Sequence, residues 1–156
     1  GLLTPRREPL DLGREVDALL EFYALLAEDS HIALTREGSG QIAGDRSMLR
    51  RALSNLLDNA LRYTPGGGAI KVLIEETASH VRISIENTGA GIAAQLLPRL
   101  FDRFYRADPA RREGSSEHAG LGLAITQSII RAHGGQIRCE SQDGVTQFVI
   151  ELPSRT

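Results

Sequence analysis

Apolar positions along the chain alternate between two periods, and each switch marks an element. A short strand at 10–12 leads into a helix over about 13–28, where apolar residues recur at helical spacing as Val16, Leu19, Leu20, Tyr23 and Leu26. Residues 32–35 alternate as a strand, and 41–43 is expected to pair with them across the Gly38-Ser39-Gly40 turn. Asp45 reads as the N-cap of a long helix to about Tyr63, with an inner stripe of Leu49, Leu53, Leu56, Leu57 and Ala60, ended by Thr64-Pro65 and three glycines. Strands are expected at 69–76 and 80–86, then a helix over about 121–133 closed by Gly134-Gly135, then strands at 136–141 and 145–152. Residues 93–119 hold no sustained period. This order predicts an α+β fold, a two-layer sandwich in which a mixed, largely antiparallel sheet packs on about three helices.

Composition narrows the function classes more than it names one. The 156 residues are enough for one compact domain, and a net charge of −2 with 24% charged residues excludes a basic nucleic-acid surface and a disordered chain. The longest apolar run, 18–27, is interrupted by Glu21 and too short to cross a bilayer. The single cysteine, Cys139, cannot form an internal disulfide, and a small filler in a strand suits it. Residues 1–9 carry two prolines and three charges and read as a leading segment; 10–156 reads as the domain itself. A start at Gly1 gives the expectation of a piece of a longer protein.

The helix over 45–63 is the most informative element chemically. Asn55 and Asn59 fall on one flank of it, at about 100° to 140° from the centre of the apolar stripe, with Arg62 on the same flank and Tyr63 at its border. Two neutral carboxamide oxygens suit magnesium, which keeps several waters and takes few protein ligands besides phosphate oxygens. Two solvated asparagines would show the same spacing. Asp58 is expected on the opposite side, facing solvent. Glu86-Asn87-Thr88-Gly89-Ala90-Gly91-Ile92 ends an alternating strand, where a side chain that both donates and accepts could read an adenine edge. A plain strand-ending turn has the same composition. In Leu97-Pro98-Arg99-Leu100-Phe101-Asp102-Arg103-Phe104-Tyr105-Arg106, Phe101 and Phe104 are spaced to anchor a short helix, and Arg103 and Arg106 to reach phosphates. The charged, poorly patterned stretch after it is expected to form a lid at about 93–119. Finally, Ala119-Gly120-Leu121-Gly122-Leu123 opens a helix whose amino end suits an anion, without being a Walker loop or a dinucleotide fingerprint.

Taken in order, NLLDNALRYTP, ENTGAGI, LFDRFYRAD and GLGLAI resemble the N box, first glycine box, phenylalanine box and second glycine box of the histidine-kinase catalytic domain. The resemblance runs over residues 10–153 and implies the Bergerat-type ATP-binding fold shared with gyrase, the Hsp90 chaperones and mismatch-repair ATPases. It implies ATP and Mg2+ as ligands. By position, Asn59 would hold magnesium, with Asn55 helping to hold metal and phosphates. Arg62 and Tyr63 would close the N box over the nucleotide. Asn87 would meet the adenine amino group, with Gly89, Gly91 and Ile92 beside the base. Arg106 would reach the phosphates, and Gly120, Leu121, Gly122 and Leu123 would lie under them.

Two departures stand out. Asn87 occupies the usual place of an aspartate, a substitution shared, together with the LPRLFDRFYR run, by a heavy-metal-sensing branch; a metal-responsive parent is the expectation. His118 stands where the second glycine box often begins with glycine. The resemblance further implies transfer of the ATP γ-phosphoryl to a histidine on a separate dimerisation and phosphoacceptor domain, and onward transfer to a response regulator. It implies a cytoplasmic domain, monomeric as this piece, of a homodimeric parent in the bacterial inner membrane. His31, His80, His118 and His133 lack the context of a phosphoacceptor, so this chain is expected not to label itself. An ATP hydrolase of the same superfamily and a nucleotide-binding pseudokinase are the competing expectations; the first would need a general base where this chain has Asn55.

Overall fold

A computed structural model describes residues 4–102 and 122–154. In chain order its elements are β1 (Glu8–Asp11), α1 (Leu12–Asp29), β2 (Ala33–Gly38), β3 (Gln41–Gly44), α2 (Arg46–Tyr63), β4 (Ala69–Glu76), β5 (His80–Thr88), a short 3-10 helix (Ala94–Arg99), α3 (Gly122–Ala132), β6 (Gln136–Gln142) and β7 (Val145–Pro153). Aspartates start the two long helices. Asp11 accepts from the Arg14 N–H at 3.2 Å and Asp45 from the Met48 N–H at 3.1 Å, each satisfying an amide that the first helical turn leaves open. No helix among the described residues is long and apolar enough to cross a membrane.

Five strands form the main sheet in the order β2-β4-β5-β7-β6, antiparallel throughout except for the parallel β2–β4 pair. The expected α+β sandwich is present. The expected hairpin between β2 and β3 is not: β3 pairs instead with β1, in a separate two-stranded ribbon. The cause lies at the turn. Gly38 has φ +81, and a Cβ there would lie 1.9 Å from the Ile74 carbonyl oxygen, so the chain leaves the sheet edge in a conformation that only glycine supports. Leu12 N–H then donates to Gly40 O at 2.9 Å, drawing the next strand to β1. β2 finds its partner in β4 because α2 supplies the crossover that parallel strands need.

Period-2 alternation places Ile70, Val72 and Ile74 of β4, Val81, Ile83 and Ile85 of β5, and Phe148, Ile150 and Leu152 of β7 in the core. They share it with Leu49, Leu53, Leu56 and Leu57 of α2 and Ile129 and Ile130 of α3. α1 departs from the sequence reading. Leu26 is 53% exposed beside Phe22 and Leu25, while Leu12, Val16, Tyr23 and Ala27 face inward. The helix is apolar on two sides, so periodicity alone did not say which one is covered.

That orientation also corrects the reading of Asp58. α1 lies along the side of α2 opposite α3, so Asp58 is half-buried and accepts from the Tyr23 hydroxyl at 2.8 Å, with Ser54 Oγ 2.6 Å from the same hydroxyl. Burial first, then the Asp58 carboxylate, push the Tyr23 phenol up to about 12, against a lowering contribution from Ser54. An unfolded tyrosine loses its proton near 10. The folded chain therefore keeps a proton that the unfolded chain has lost, and stability falls as pH rises from about 10 through about 12. Tyr23→Phe is expected to cost about 1 kcal/mol at neutral pH by removing the hydroxyl from Asp58 and Ser54. It should also flatten this part of the alkaline decline, as measured by urea unfolding at neutral pH and at roughly pH 10 to 11. The Cys139 thiol, also pushed up to about 12 by burial and then by Glu140, is common to both chains and drops out of the difference.

Candidate functional site

Asn55 turns toward α3. Its Nδ2 donates to Gly122 O at 3.2 Å and to Thr126 Oγ1 at 3.3 Å, while Thr126 Oγ1 donates back to Gly122 O at 2.8 Å. A backbone carbonyl can only accept, so the amide nitrogen must face α3, and Oδ1 is the group left for a ligand. Asn59, one turn further along α2, is half-buried, and its side chain makes no hydrogen bond to another described residue. A Cβ added at Gly122 would stand 3.9 Å from Asn55 Cγ, so the start of α3 lies close against the amide flank. Arg62 is half-buried in the last turn of α2, and Tyr63 closes the helix at 36% exposure.

The end of β5 lies against the carboxyl end of α2. A side chain on Gly89 would meet the Tyr63 carbonyl oxygen at 2.9 Å, which leaves room there for backbone alone. Gly91, at φ +86, brings the chain so close to β6 that a Cβ would sit 2.9 Å from Ser141 Oγ. The next residue, Ile92, uses the same hydroxyl, its N–H donating at 2.8 Å. Asn87 is in phase with Val81, Ile83 and Ile85 and is only 6% exposed, a polar side chain continuing an apolar row. Its Nδ2 donates to Thr88 O at 3.2 Å. A buried carboxamide has further hydrogen-bonding capacity, and burial without partners is costly.

Register extends the polar floor across the sheet. Asn87 pairs with Thr146, and Thr146 with Ser141, placing the three on one face of adjacent strands. Ser141 Oγ and Thr146 Oγ1 are 2.9 Å apart. Ser141, Thr146 and the fully buried Thr126 were missed from the sequence. Each had a visible signal: Thr146 heads the inward-facing row completed by Phe148, Ile150 and Leu152, and Thr126 is a lone hydroxyl on the inner stripe of an apolar helix.

The chain after Ile92 is anchored where the phenylalanine pattern suggested. Leu100 is buried, and Phe101 meets Phe148 of β7 edge-to-face at 6.1 Å. Arg103, Phe104, Arg106, His118, Gly120 and Leu121, and with them most of the expected lid at 93–119, lie outside the described residues. Leu123 is half-buried in the first turn of α3.

The amide flank of α2, the beginning of α3 and the turn after β5 bound the candidate groove. Among the described residues no group of three His, Cys, Asp or Glu side chains could hold a metal ion. A cation bound beside these two carboxamides would take neutral amide oxygens and complete its shell with water and ligand oxygens, a donor set that fits magnesium.

Known proteins resemble this chain in sequence and in fold. Residues 44–156 match the family described as Histidine kinase-, DNA gyrase B-, and HSP90-like ATPase. The chain is 49% identical over 154 residues to the sensor histidine kinase CusS of Escherichia coli O157:H7, covering 98% of this chain and 32% of that protein. Among solved structures, the catalytic domain of the histidine kinase ThkA in a nucleotide-free form superposes with a TM-score of 0.85 at 25% identity, covering 96% of this chain and 97% of that one. The mycobacterial sensor histidine kinase MprB superposes at 0.80 with 34% identity, covering 96% and 98%. The chain thus spans about a third of the length of the curated relatives it matches. The clasp on Asn55 gives a direct test: Thr126→Val, which keeps shape and removes the hydroxyl, should lower unfolding free energy by about 1–2 kcal/mol, and Thr126→Ser should recover most of it in denaturant titrations.

Proposed function

The chain belongs to the family of histidine kinase-, DNA gyrase B- and HSP90-like ATPases, and from that membership we propose that it is the ATP-binding catalytic domain of a two-component sensor histidine kinase. The observation that carries the reading is the placement of Asn55, whose amide nitrogen is held by α3 so that its oxygen is offered to the groove beside Asn59. In this reading the two carboxamide oxygens hold Mg2+ on the phosphates of ATP. Arg62 and Tyr63 close the edge of the groove. Asn87 accepts from the adenine amino group, while Gly89, Gly91 and Ile92 bring backbone alongside the base. Gly120, Leu121, Gly122 and Leu123 line the phosphates with the amino end of α3, where open amides favour an anion, and Arg106 adds charge from the lid at about 93–119.

The reaction breaks the bond between the γ-phosphorus and the bridging oxygen of ATP and forms one to a histidine nitrogen on a separate domain of the parent protein. Bound magnesium supplies charge neutralisation on the phosphates. The residues of this chain align and neutralise; they need not take a proton from water. Asn55 is an amide where a hydrolase would need a base, which supports transfer to histidine over hydrolysis. His133 is buried with both ring nitrogens engaged, and in the sequence none of His31, His80, His118 and His133 opens an H-E-x-x-[TS]-P run, which supports an acceptor outside this chain. The parent is read as a membrane-anchored homodimer of the heavy-metal-sensing branch that passes its phosphoryl group to a response regulator.

Calorimetric titration should show ATP binding that strengthens with Mg2+. Asn59→Ala should abolish the magnesium increment, and retention of that increment would remove the metal assignment. Labelled ATP should leave this chain unlabelled but label a histidine domain supplied in trans, with steady-state ATPase activity very slow. At Asn87, a charged acceptor gains about 1 kcal/mol over a neutral one, so Asn87→Asp should raise ATP affinity by about tenfold at most. It should lower the melting temperature of the nucleotide-free chain, because a carboxylate is then buried without its partner.

A further inference from the structure

Three parts of the chain converge on Asp45, at the opposite end of α2 from Tyr63. Its carboxylate caps α2 and also accepts from the Arg6 N–H at 2.9 Å. Its own N–H donates to Nε2 of His133 at 3.0 Å. His133, just past the end of α3, is 2% exposed, and its Nδ1 donates to Ile129 O at 2.8 Å. Because that carbonyl can only accept, the proton sits on Nδ1, and Nε2 keeps the lone pair that the Asp45 amide requires. The leading segment is strapped over the same junction. Arg7 donates to Ala132 O at 3.3 Å and to Ala43 O at 3.5 Å, and Glu8 pairs with Arg46 at 3.0 Å.

α2 and α3 are therefore fastened twice: at Asn55 with Gly122 and Thr126, and at Asp45 with His133, roughly 15 Å away along α2 by the rise of a helix. One clasp lets two rods swivel; two clasps fix their mutual angle. We propose that Asp45 and His133 form a positioning latch, strapped by Arg6 and Arg7, which sets how the amide flank of α2 stands against the start of α3. Through it, the orientation of the segment leading into this domain is felt in the groove. The effect on nucleotide rests on the ATP reading above; the coupling of the latch to Asn55 does not.

The experiment follows the Asn55 side-chain amide by 15N–1H spectroscopy in the 156-residue chain, with ATP titrations on the same samples. His133→Leu removes the acceptor, His133→Gln restores one, and Arg7→Ala cuts the exposed strap with little threat to folding. The latch requires the Asn55 signal to shift or broaden in His133→Leu, to return toward its original position in His133→Gln, and to move in the Leu direction, by less, in Arg7→Ala. Magnesium-ATP affinity should fall about tenfold in the leucine variant and a few-fold in Arg7→Ala, with His133→Gln close to the unchanged chain. An Asn55 signal unmoved in Arg7→Ala and in folded His133→Leu overturns the latch, as does a leucine variant with lower melting temperature and unchanged affinity. If His133→Leu does not fold, Arg7→Ala and His133→Gln decide by the same signal. Should the unaltered chain bind no ATP while the signal responds as described, the nucleotide reading fails and the latch stands.

Discussion

Asn55 is where the packing of this fold and the chemistry of its groove become one contact. A carboxamide has two ends, and giving the nitrogen to the Gly122 carbonyl and the Thr126 hydroxyl commits the oxygen to the other side. The same bonds hold two helices together across a cleft whose floor is a sheet. If the start of α3 moved, the amide would be free to rotate, and the flank would present a donor as readily as an acceptor. Under the proposed reading, cation preference would depend on this tertiary hydrogen bond as much as on residue type.

The sheet supplies the stiffness that such a contact needs. β4, β5 and β7 place rows of Ile, Val and Phe under both helices, and the rows end in Asn87 and Thr146, with Ser141 alongside on β6, where the apolar floor gives way to a polar one. The change occurs within one strand repeat. A ligand at that end would therefore have apolar residues on one side and hydrogen-bonding groups for its edge on the other.

Much of this was legible in the chain because each signal was local. The N-cap at Asp45, the stripe of α2 and the alternation of β4, β5 and β7 depend on neighbours within a few residues, and the structure keeps them nearly to the residue. Asn55, Asn59, Asn87, Gly89 and Gly91 were singled out by box order and spacing, which are also linear. The structure gathers them around the end of α2 and the turn after β5, while their roles are those of the proposed reading. What was lost was long-range. Pairing of β3 with β1 is decided by the positive-φ turn at Gly38 and by β4, which comes much later in the chain. α1 carries apolar residues on two faces, and only the position of α2 shows that Tyr23 and Ala27 go in while Phe22, Leu25 and Leu26 stay out. Thr126, Ser141 and Thr146 are ordinary until register brings them to their partners. Arg106, Gly120 and Leu121 lie outside the described residues, and only their place in the box order speaks for them.

The parallel alignment of β2 with β4 has a kinetic side. β2 is made early, but the strand that receives its hydrogen bonds follows only after β3 and the whole of α2. During synthesis β2 therefore has no partner strand in the main sheet until the chain up to Ile74 has been made. α2 lies in the crossover between these two strands, so forming the parallel pair brings the helix that bears the amides back onto the sheet.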